Sequence, residues 1–217
     1  MKQYYGTNKE VLLDTSFDMD RLVVFLPGIS GGAHGARFLG VDKLADEDGY
    51  ACARIALWEG EESLADKCYE DIFAKLDEFF DEFKQLGFID VLMIGKSFGG
   101  GVVLAYEHEM ISRKVLWAPA IGVGEGEGNW DEMKGKKFGE IKDLLDIEVG
   151  AARIAAQSAP IGIIHGTADE AFPVSNSEKI IAAAQHGTLK TVEGAGHSFK
   201  DHEHETALMA LTHELLQ

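Results

Sequence analysis

The chain has only two cysteines among its 217 residues, Cys52 and Cys68, and they stand far apart. This scarcity argues against a disulfide framework and a CxxC metal or redox site, so we expect two reduced thiols. No stretch approaches the roughly 18 consecutive apolar residues of a membrane span. The first residues, MKQYYGTNKE, also lack the apolar core of a secretory signal. We therefore expect a cytoplasmic protein with no membrane partner.

Basic residues are also scarce, with 20 Lys and Arg against 37 Asp and Glu and a net charge of −17. Because polyanions would be repelled and no local cluster of cations compensates, we expect no nucleic-acid partner. The chain is 46% hydrophobic and 26% charged, as is typical of globular domains. Its length favours one domain over residues 1–217, with a single sizeable core.

Short apolar runs bounded by glycine, proline or charged residues recur along the chain and predict strands. They are EVLLD, RLVVFLPG, YACARIALW, IDVLMIG, KVLWAPA, IGIIHG and LKTVEG. Amphipathic helical patterns separate several of them. Two patterns start with capping boxes, Ser63–Asp66 and Ser175–Glu178, and a third places Leu208, Leu211 and Leu215 on one face. The alternation predicts an α/β fold with a mostly parallel sheet and helices on both faces.

Residues 121–159, after the predicted strand around Val115, break this rhythm and predict a small lid-like insertion. The segment opens with GVGEGEGN and continues into IKDLLDIEVGAARIAAQ, which favours a helix. About forty residues are too few for a large cap domain. We expect a mobile cover that leaves the site fairly open, with Trp130, Leu144 and Leu145 as candidates to line an acyl pocket.

The stretch VLMIGKSFGGG combines a buried strand with a tight glycine-rich turn around Ser97. A nucleophile elbow needs small residues two positions before and after the serine, and Gly95 and Gly99 occupy them. We predict a strand over Val91–Ile94 and a helix over Phe98–Glu107. The alternative is a glycine-rich phosphate loop, because GKS matches the end of a P-loop motif, but Asp90 stands where that motif needs its first glycine.

A serine nucleophile needs a base, usually a histidine oriented by a carboxylate. Asp169 in IIHGTADEAFP and His197 in VEGAGHSFK each follow an apolar strand, and the order Ser97, Asp169, His197 is the one associated with this elbow. An acid after the preceding strand, at Glu125 or Glu127, is the alternative. Among the other histidines, His34 is the hardest to set aside.

Acyl transfer also needs two donors for the developing oxyanion. We predict the backbone N–H of Phe98, directly after the serine, and that of Ile29 in the early loop LPGISGG, with Ser30 as the alternative. His202 and His204 lie two residues apart near a helix start, where their side chains diverge, so we predict no metal site. No other cofactor is predicted.

The motifs LPGISGG, GKSFGG, HGTADEAFPV and GAGHSF, in this order, resemble those of the α/β-hydrolase superfamily from about Arg21 to the last helix. The chain is most similar to small, nearly capless serine esterases of the dienelactone-hydrolase-like kind. This resemblance implies hydrolysis of an ester or thioester and a small-molecule ester as partner. Two positions depart from the pattern: Pro27, where many members have histidine, and Lys96.

Other functions stay open on the same residues. Thioester, amide or peptide cleavage would use the same triad. A noncatalytic ligand-binding or interaction module could also retain this fold, because fold does not fix function.

Overall fold

The structure is a computed structural model, and it describes residues 2–15, 20–35, 39–141 and 146–217. The strands are β1 (Lys2–Tyr5), β2 (Val11–Asp14), β3 (Arg21–Leu26), β4 (Ala51–Ile55), β5 (Asp90–Lys96), β6 (Ile111–Trp117), β7 (Gly122–Gly124), β8 (Glu148–Gly150), β9 (Ile161–Gly166) and β10 (Gly187–Val192). The helices are α1 (Leu39–Glu47), α2 (Tyr69–Gln85), α3 (Phe98–Ala105), α4 (Trp130–Met133), α5 (Ala151–Ala155), α6 (Val174–Ala183) and α7 (His202–Leu216).

The main sheet has eight strands in the order β1-β2-β4-β3-β5-β6-β9-β10. β2 pairs antiparallel with β1 and β4, whereas every pair from β4 to β10 in this order is parallel. Gly95 pairs with both Leu26 and Leu116, so the carboxyl ends of β3, β5 and β6 lie level. Loops that follow these ends therefore meet at one edge, where ligands bind in such sheets.

Apolar side chains of the strands point alternately to two buried clusters, one on each face of the sheet. In β3, Leu22, Val24 and Leu26 join the cluster that also contains residues of α2, α3 and α6, while Val23 and Phe25 join the cluster of α1 and α7. This arrangement confirms the predicted fold class, a mostly parallel sheet with helices on both faces. Within the described ranges, no helix is both long and apolar enough to cross a bilayer.

The start of α2 differs from the prediction. Ser63 belongs to a 3-10 turn over Glu61–Leu64, and its hydroxyl donates to the Gly60 carbonyl at 2.8 Å. The helix begins at Tyr69, where the Cys68 N–H donates to the Asp71 carboxylate at 2.7 Å. The capping pair therefore has the predicted spacing of three residues but lies five residues further along the chain.

Two other helix ends also shift. α3 ends at Ala105, two residues before the predicted end, because the buried Lys114 ammonium binds the carbonyls of Leu104 and Tyr106 at 3.2 and 2.7 Å. α6 begins at Val174 with Pro173 at its N-cap, so the N-cap lies two residues before the predicted Ser175.

The long helix predicted in the insertion is confirmed over Ala151–Ala155, which form α5, but it is wrong over Glu148–Gly150. These three residues form β8, which pairs in parallel with β7. Gly150 explains the interruption, because a Cβ at this position would lie 2.6 Å from the backbone of Glu127. The close approach of two loops, which the sequence pattern does not report, keeps this segment out of a helix.

Candidate active site

Ser97 stands alone between the end of β5 and the start of α3, with φ 52° and ψ −118°. This backbone conformation is rare for a residue with a side chain and is typical of strained functional turns. A Cβ at Gly95 would lie 2.3 Å from the Gly99 carbonyl oxygen, and one at Gly99 would lie 2.3 Å from the Pro27 carbonyl oxygen. Both glycines are therefore required by close backbone contacts, as the elbow interpretation expects.

The three residues predicted as a triad lie together at the carboxyl edge of the sheet. Ser97 follows β5, Asp169 follows β9 and His197 follows β10. His197 Nε2 is 2.9 Å from Ser97 Oγ, and His197 Nδ1 is 2.8 Å from Asp169 Oδ2. The side chain of Asp169 is fully buried, whereas that of His197 is 16% exposed. The imidazole thus bridges a buried carboxylate and a hydroxyl near the surface.

The Asp169 carboxylate accepts hydrogen bonds at both oxygens. Oδ1 accepts from the N–H groups of Ala171 and Phe172 at 2.9 and 2.8 Å. Oδ2 lies 2.8 Å from His197 Nδ1 and 3.1 Å from His165 Nε2. Burial alone would raise the pKa of this carboxyl, but the hydrogen bonds from His165, His197 and Phe172 outweigh burial and hold the pKa well below its usual range. Asp169 therefore offers His197 Nδ1 a charged acceptor at neutral pH, which favours the tautomer with the ring proton on Nδ1.

The loop that carries His197 is fixed on two sides. Glu170 accepts a hydrogen bond from the His197 backbone N–H at 3.1 Å, and the Phe172 ring packs against the imidazole with 5.2 Å between ring centroids. The ammonium of the mostly buried Lys96 also lies 3.4 Å from the His197 carbonyl oxygen. Lys96, the residue before the serine that departs from the family pattern, thus contacts the backbone of the loop that carries His197.

The candidate oxyanion loop runs beside Ser97. A Cβ at Gly28 would lie 3.4 Å from the Ser97 Cβ, so this backbone passes directly along the serine. The Gly28 carbonyl accepts from the Trp58 indole N–H at 2.8 Å and from the Gly31 N–H at 2.9 Å. Because a trans peptide directs its N–H opposite to its C=O, these bonds turn the Ile29 N–H away from Trp58. Phe98, the first residue of α3, has an N–H without an intrahelical acceptor.

Three other sequence features lie outside this cluster. His34 Nε2 is 3.1 and 3.0 Å from the carbonyl oxygens of Glu10 and Arg54, so its ring is bound to the β2–β4 side of the sheet. Glu125 and Glu127 are exposed in the insertion, whereas the His197 imidazole contacts the carboxylate of Asp169. In the described part of the chain, no three His, Cys, Asp or Glu side chains are grouped as metal ligands would be.

The insertion packs on the elbow through aromatic side chains. The ring of Phe138 lies 5.0 Å from that of Phe98, and the ring of Trp130 lies 4.9 Å from that of Tyr69, measured between centroids. Trp130 and Phe138 are both buried, and Ser97 itself is only 7% exposed. Leu144 and Leu145, the other two predicted pocket residues, lie outside the described residues.

Polar contacts tie the same segment to the start of α2. The Phe138 N–H donates to the Lys67 carbonyl at 2.7 Å, and the Lys137 ammonium lies 2.6 Å from the Asp71 carboxylate. Hydrogen bonds from Lys137 and from the Cys68 N–H lower the pKa of Asp71 to about 2. In this structure, contacts of Lys137 and Phe138 therefore attach the insertion to the start of α2, although the insertion opens with the glycine-rich stretch GVGEGEGN.

Sequence reasoning missed two groups of residues near the site. One group is His165 with Ser177, because a histidine at the end of a predicted strand gives no sign of its partners, and the other is Trp58. Trp58 lies in the loop after β4, and its only sequence signal is a large aromatic residue next to a predicted strand end. Its contact with Gly28 spans 30 residues and depends on the pairing of β3 with β4.

No family model and no curated protein sequence matches the chain, but many solved structures resemble it. Est1E from Butyrivibrio proteoclasticus superposes with a TM-score of 0.75 at 20% identity, covering 99% of this chain and 97% of that one. MGS-MChE2, an alpha/beta hydrolase enzyme from the metagenome of Mar Chica lagoon sediments, gives 0.70 at 21% identity, with 99% and 96% covered. The Paleococcus ferrophilus monoacylglycerol lipase gives 0.68 at 17% identity, with 90% and 93% covered. At these identities the likeness shows the fold, which is the α/β-hydrolase fold.

Proposed function

We propose that this protein is a serine hydrolase, a carboxylesterase that cleaves small carboxylic esters through an acyl-enzyme. The observation that carries the proposal is the continuous hydrogen-bonded chain from Ser97 through His197 to Asp169, with distances of 2.9 and 2.8 Å, on a strained elbow. Such a chain activates a hydroxyl that is otherwise a weak nucleophile at neutral pH. The names of the structural neighbours Est1E and monoacylglycerol lipase are those of ester-cleaving enzymes, which agrees with this choice.

In the first half-reaction, Ser97 Oγ attacks the acyl carbonyl carbon while His197 Nε2 takes the hydroxyl proton. Asp169 stabilises the imidazolium that forms and keeps its Nδ1–H in place. The backbone N–H groups of Phe98 and Ile29 donate to the oxyanion of the tetrahedral intermediate. His197 then returns the proton to the alkoxide leaving group, and the ester C–O bond breaks.

In the second half-reaction, water attacks the acyl-enzyme and His197 Nε2 removes a proton from this water. The same two amides stabilise the second oxyanion, and its collapse releases the carboxylic acid and returns the proton to Ser97. These steps need no metal or organic cofactor, and none enters the proposal.

Labelling with a fluorophosphonate probe tests the reactive serine directly. We expect native protein to be labelled, and expect Ser97→Ala and His197→Ala to lose both labelling and nearly all ester turnover while they unfold at temperatures close to that of the wild type. Ser63→Ala is a matched control for the serine change, because Ser63 lies in the turn before α2. A native protein that is folded but unlabelled would favour the noncatalytic alternative.

A matched substrate series separates the remaining chemistries. Esters, thioesters and aminoacyl arylamides that carry the same acyl group differ in the leaving group alone. We expect the ester to react with the highest kcat/KM. The reverse order would assign the triad to a thioesterase or an amidase.

A further inference from the structure

The imidazole of His165 is completely buried and lies behind the proposed catalytic acid, Asp169. Its Nε2 lies 3.1 Å from Asp169 Oδ2 and 3.0 Å from the Phe172 carbonyl oxygen. Its Nδ1 lies 2.7 Å from the hydroxyl of Ser177, which is also fully buried in α6. A buried polar ring with partners at both nitrogens is held in one orientation.

The partners fix the tautomer of this ring. A backbone carbonyl only accepts hydrogen bonds, so Nε2 must carry the proton that points to Phe172 and Asp169. In the neutral ring, Nδ1 is then an acceptor, and the Ser177 hydroxyl is the donor that matches it. The opposite tautomer would place a lone pair of Nε2 against two acceptors at 3.0 and 3.1 Å.

Asp169 Oδ2 thus faces a ring nitrogen of each of two imidazoles, 2.8 Å away in His197 and 3.1 Å away in His165. We infer that His165 is a positioning residue for the triad, which holds the Asp169 carboxylate in the plane needed by His197, and that Ser177 steadies the ring by donating to its Nδ1. The chain of polar contacts then runs over five side chains: Ser97, His197, Asp169, His165 and Ser177. This inference rests on the proposed function.

The kinetic test compares variants that keep or remove the donor. His165→Leu leaves Oδ2 with one donor, and we expect kcat to fall by about 10- to 100-fold with little change in KM, the loss expected for a slightly misplaced catalytic group. His165→Gln can present an amide N–H to Asp169, so it should recover most of that loss. His213→Leu is the matched control, because His213 contacts Asp48 at 2.9 Å between α7 and α1. Equal kcat values for His165→Leu and the wild type would overturn the inference.

The pH profile supplies a readout that a purely structural role would not move. The titratable and charged groups that face Asp169 and the His197 loop are His165, His197, Glu170 and Lys96. Loss of the His165 donor concentrates negative charge on Oδ2, which favours the protonated form of His197. We therefore expect the acidic limb of kcat/KM to move to higher pH in His165→Leu, and to stay in place in His213→Leu. An unmoved limb would contradict a role for His165 in holding the carboxylate.

NMR tests the tautomer even if a His165 variant fails to fold. With ¹⁵N-histidine labelling, we expect the wild-type protein to show a His165 ring protonated at Nε2 and unprotonated at Nδ1. Ser177→Ala should keep this tautomer, because the Phe172 carbonyl still needs a donor, but its Nδ1 loses a hydrogen-bond partner and the Nδ1 resonance should shift. A His165 ring protonated at Nδ1 in the wild type would overturn the inference.

The outcome is separable from that of the proposed function. If the native protein is not labelled by a fluorophosphonate, the serine hydrolase proposal fails and the tautomer result still stands as a structural fact. If labelling and turnover depend on Ser97 but His165→Leu matches wild type, the proposed function holds and the positioning role fails.

Discussion

Replacement of Asp169 by asparagine is the sharpest perturbation of this site, because it changes one oxygen to an NH₂ group and leaves the volume nearly constant. In the wild type both carboxylate oxygens act as acceptors. Oδ1 binds the N–H groups of Ala171 and Phe172 at 2.9 and 2.8 Å, and Oδ2 faces the ring nitrogens of His165 and His197 at 3.1 and 2.8 Å. Asparagine has only one acceptor oxygen, so two of these four contacts must change.

The backbone decides which two contacts change. The Ala171 and Phe172 N–H groups cannot become acceptors, so the asparagine oxygen stays with them and its NH₂ group faces the two imidazoles. His197 Nδ1 must then accept a hydrogen bond from the amide N–H, which places the ring proton on Nε2, toward Ser97. A His197 in this tautomer cannot take the serine proton. We therefore expect kcat to fall by up to about 10⁴, the loss associated with the wrong tautomer in serine proteases.

The assay is kcat for a p-nitrophenyl ester at several pH values, together with the unfolding midpoint of each variant. Asp169→Glu is a useful companion, because it keeps two acceptor oxygens and should retain more activity than the asparagine variant. A kcat of Asp169→Asn within tenfold of the wild-type kcat would refute this reasoning. If Glu125→Gln or Glu127→Gln were inactive instead, the acid would have to be sought in the insertion.

Three further predictions address the oxyanion loop, the acid anion and the substrate. Trp58→Phe removes the indole donor from the Gly28 carbonyl, while the Gly31 N–H still binds it, so the free energy of unfolding should drop by about 1 kcal/mol. We expect kcat to fall by about tenfold, less than the roughly 10²- to 10³-fold loss of kcat when an oxyanion donor is removed. An unchanged kcat would show that Trp58 does not position the Ile29 amide. Because the pKa of Asp169 is lower in the folded than in the unfolded state, its carboxylate stabilises the fold above the unfolded pKa of about 3.9, and this stabilisation is lost as the pH falls towards the folded pKa. In urea titrations, the free energy of unfolding should decrease more between pH 7 and a pH below 4 for the wild type than for Asp169→Asn. Equal decreases in the two proteins would contradict this prediction. Among p-nitrophenyl esters, kcat/KM should be highest for acetyl to butyryl chains, with no jump above the micelle concentration of a long-chain ester; a preference for palmitate with interfacial activation would identify a lipase instead.

The mostly parallel sheet and the meeting of Ser97, Asp169 and His197 follow from features that a sequence carries locally. Each of these residues stands just after an apolar run, and parallel strands bring such positions to one edge. His165 had no comparable signal. It is the fifth residue of β9, so the sequence pattern marks it only as another buried strand residue. Its contact with Asp169 exists only in the folded structure, where the turn after β9 places the carboxylate 3.1 Å from its ring.

Failures of the prediction have the same physical origin. β1 contains Lys2, Gln3, Tyr4 and Tyr5 and lacks an apolar run, because it is an edge strand that pairs only with β2. Residues 148–150 form a strand and not a helix because Gly150 meets the backbone of Glu127. Both features depend on contacts between segments that are distant in the sequence, which local periodicity does not record.

The expectation of small substrates depends on how the insertion is held. A flexible cover would admit large acyl chains whenever it opened, and the glycines of GVGEGEGN favour such an interpretation of the sequence. In the structure, Phe138 packs on Phe98, the residue whose amide we propose as an oxyanion donor, and the adjacent Lys137 is paired with Asp71. Lifting the insertion would expose the buried ring of Phe138 and break the Phe138 N–H bond to Lys67. We therefore expect the insertion to stay in place over the elbow during turnover. This favours short acyl groups over long ones, because a long chain would have to displace the buried ring of Phe138.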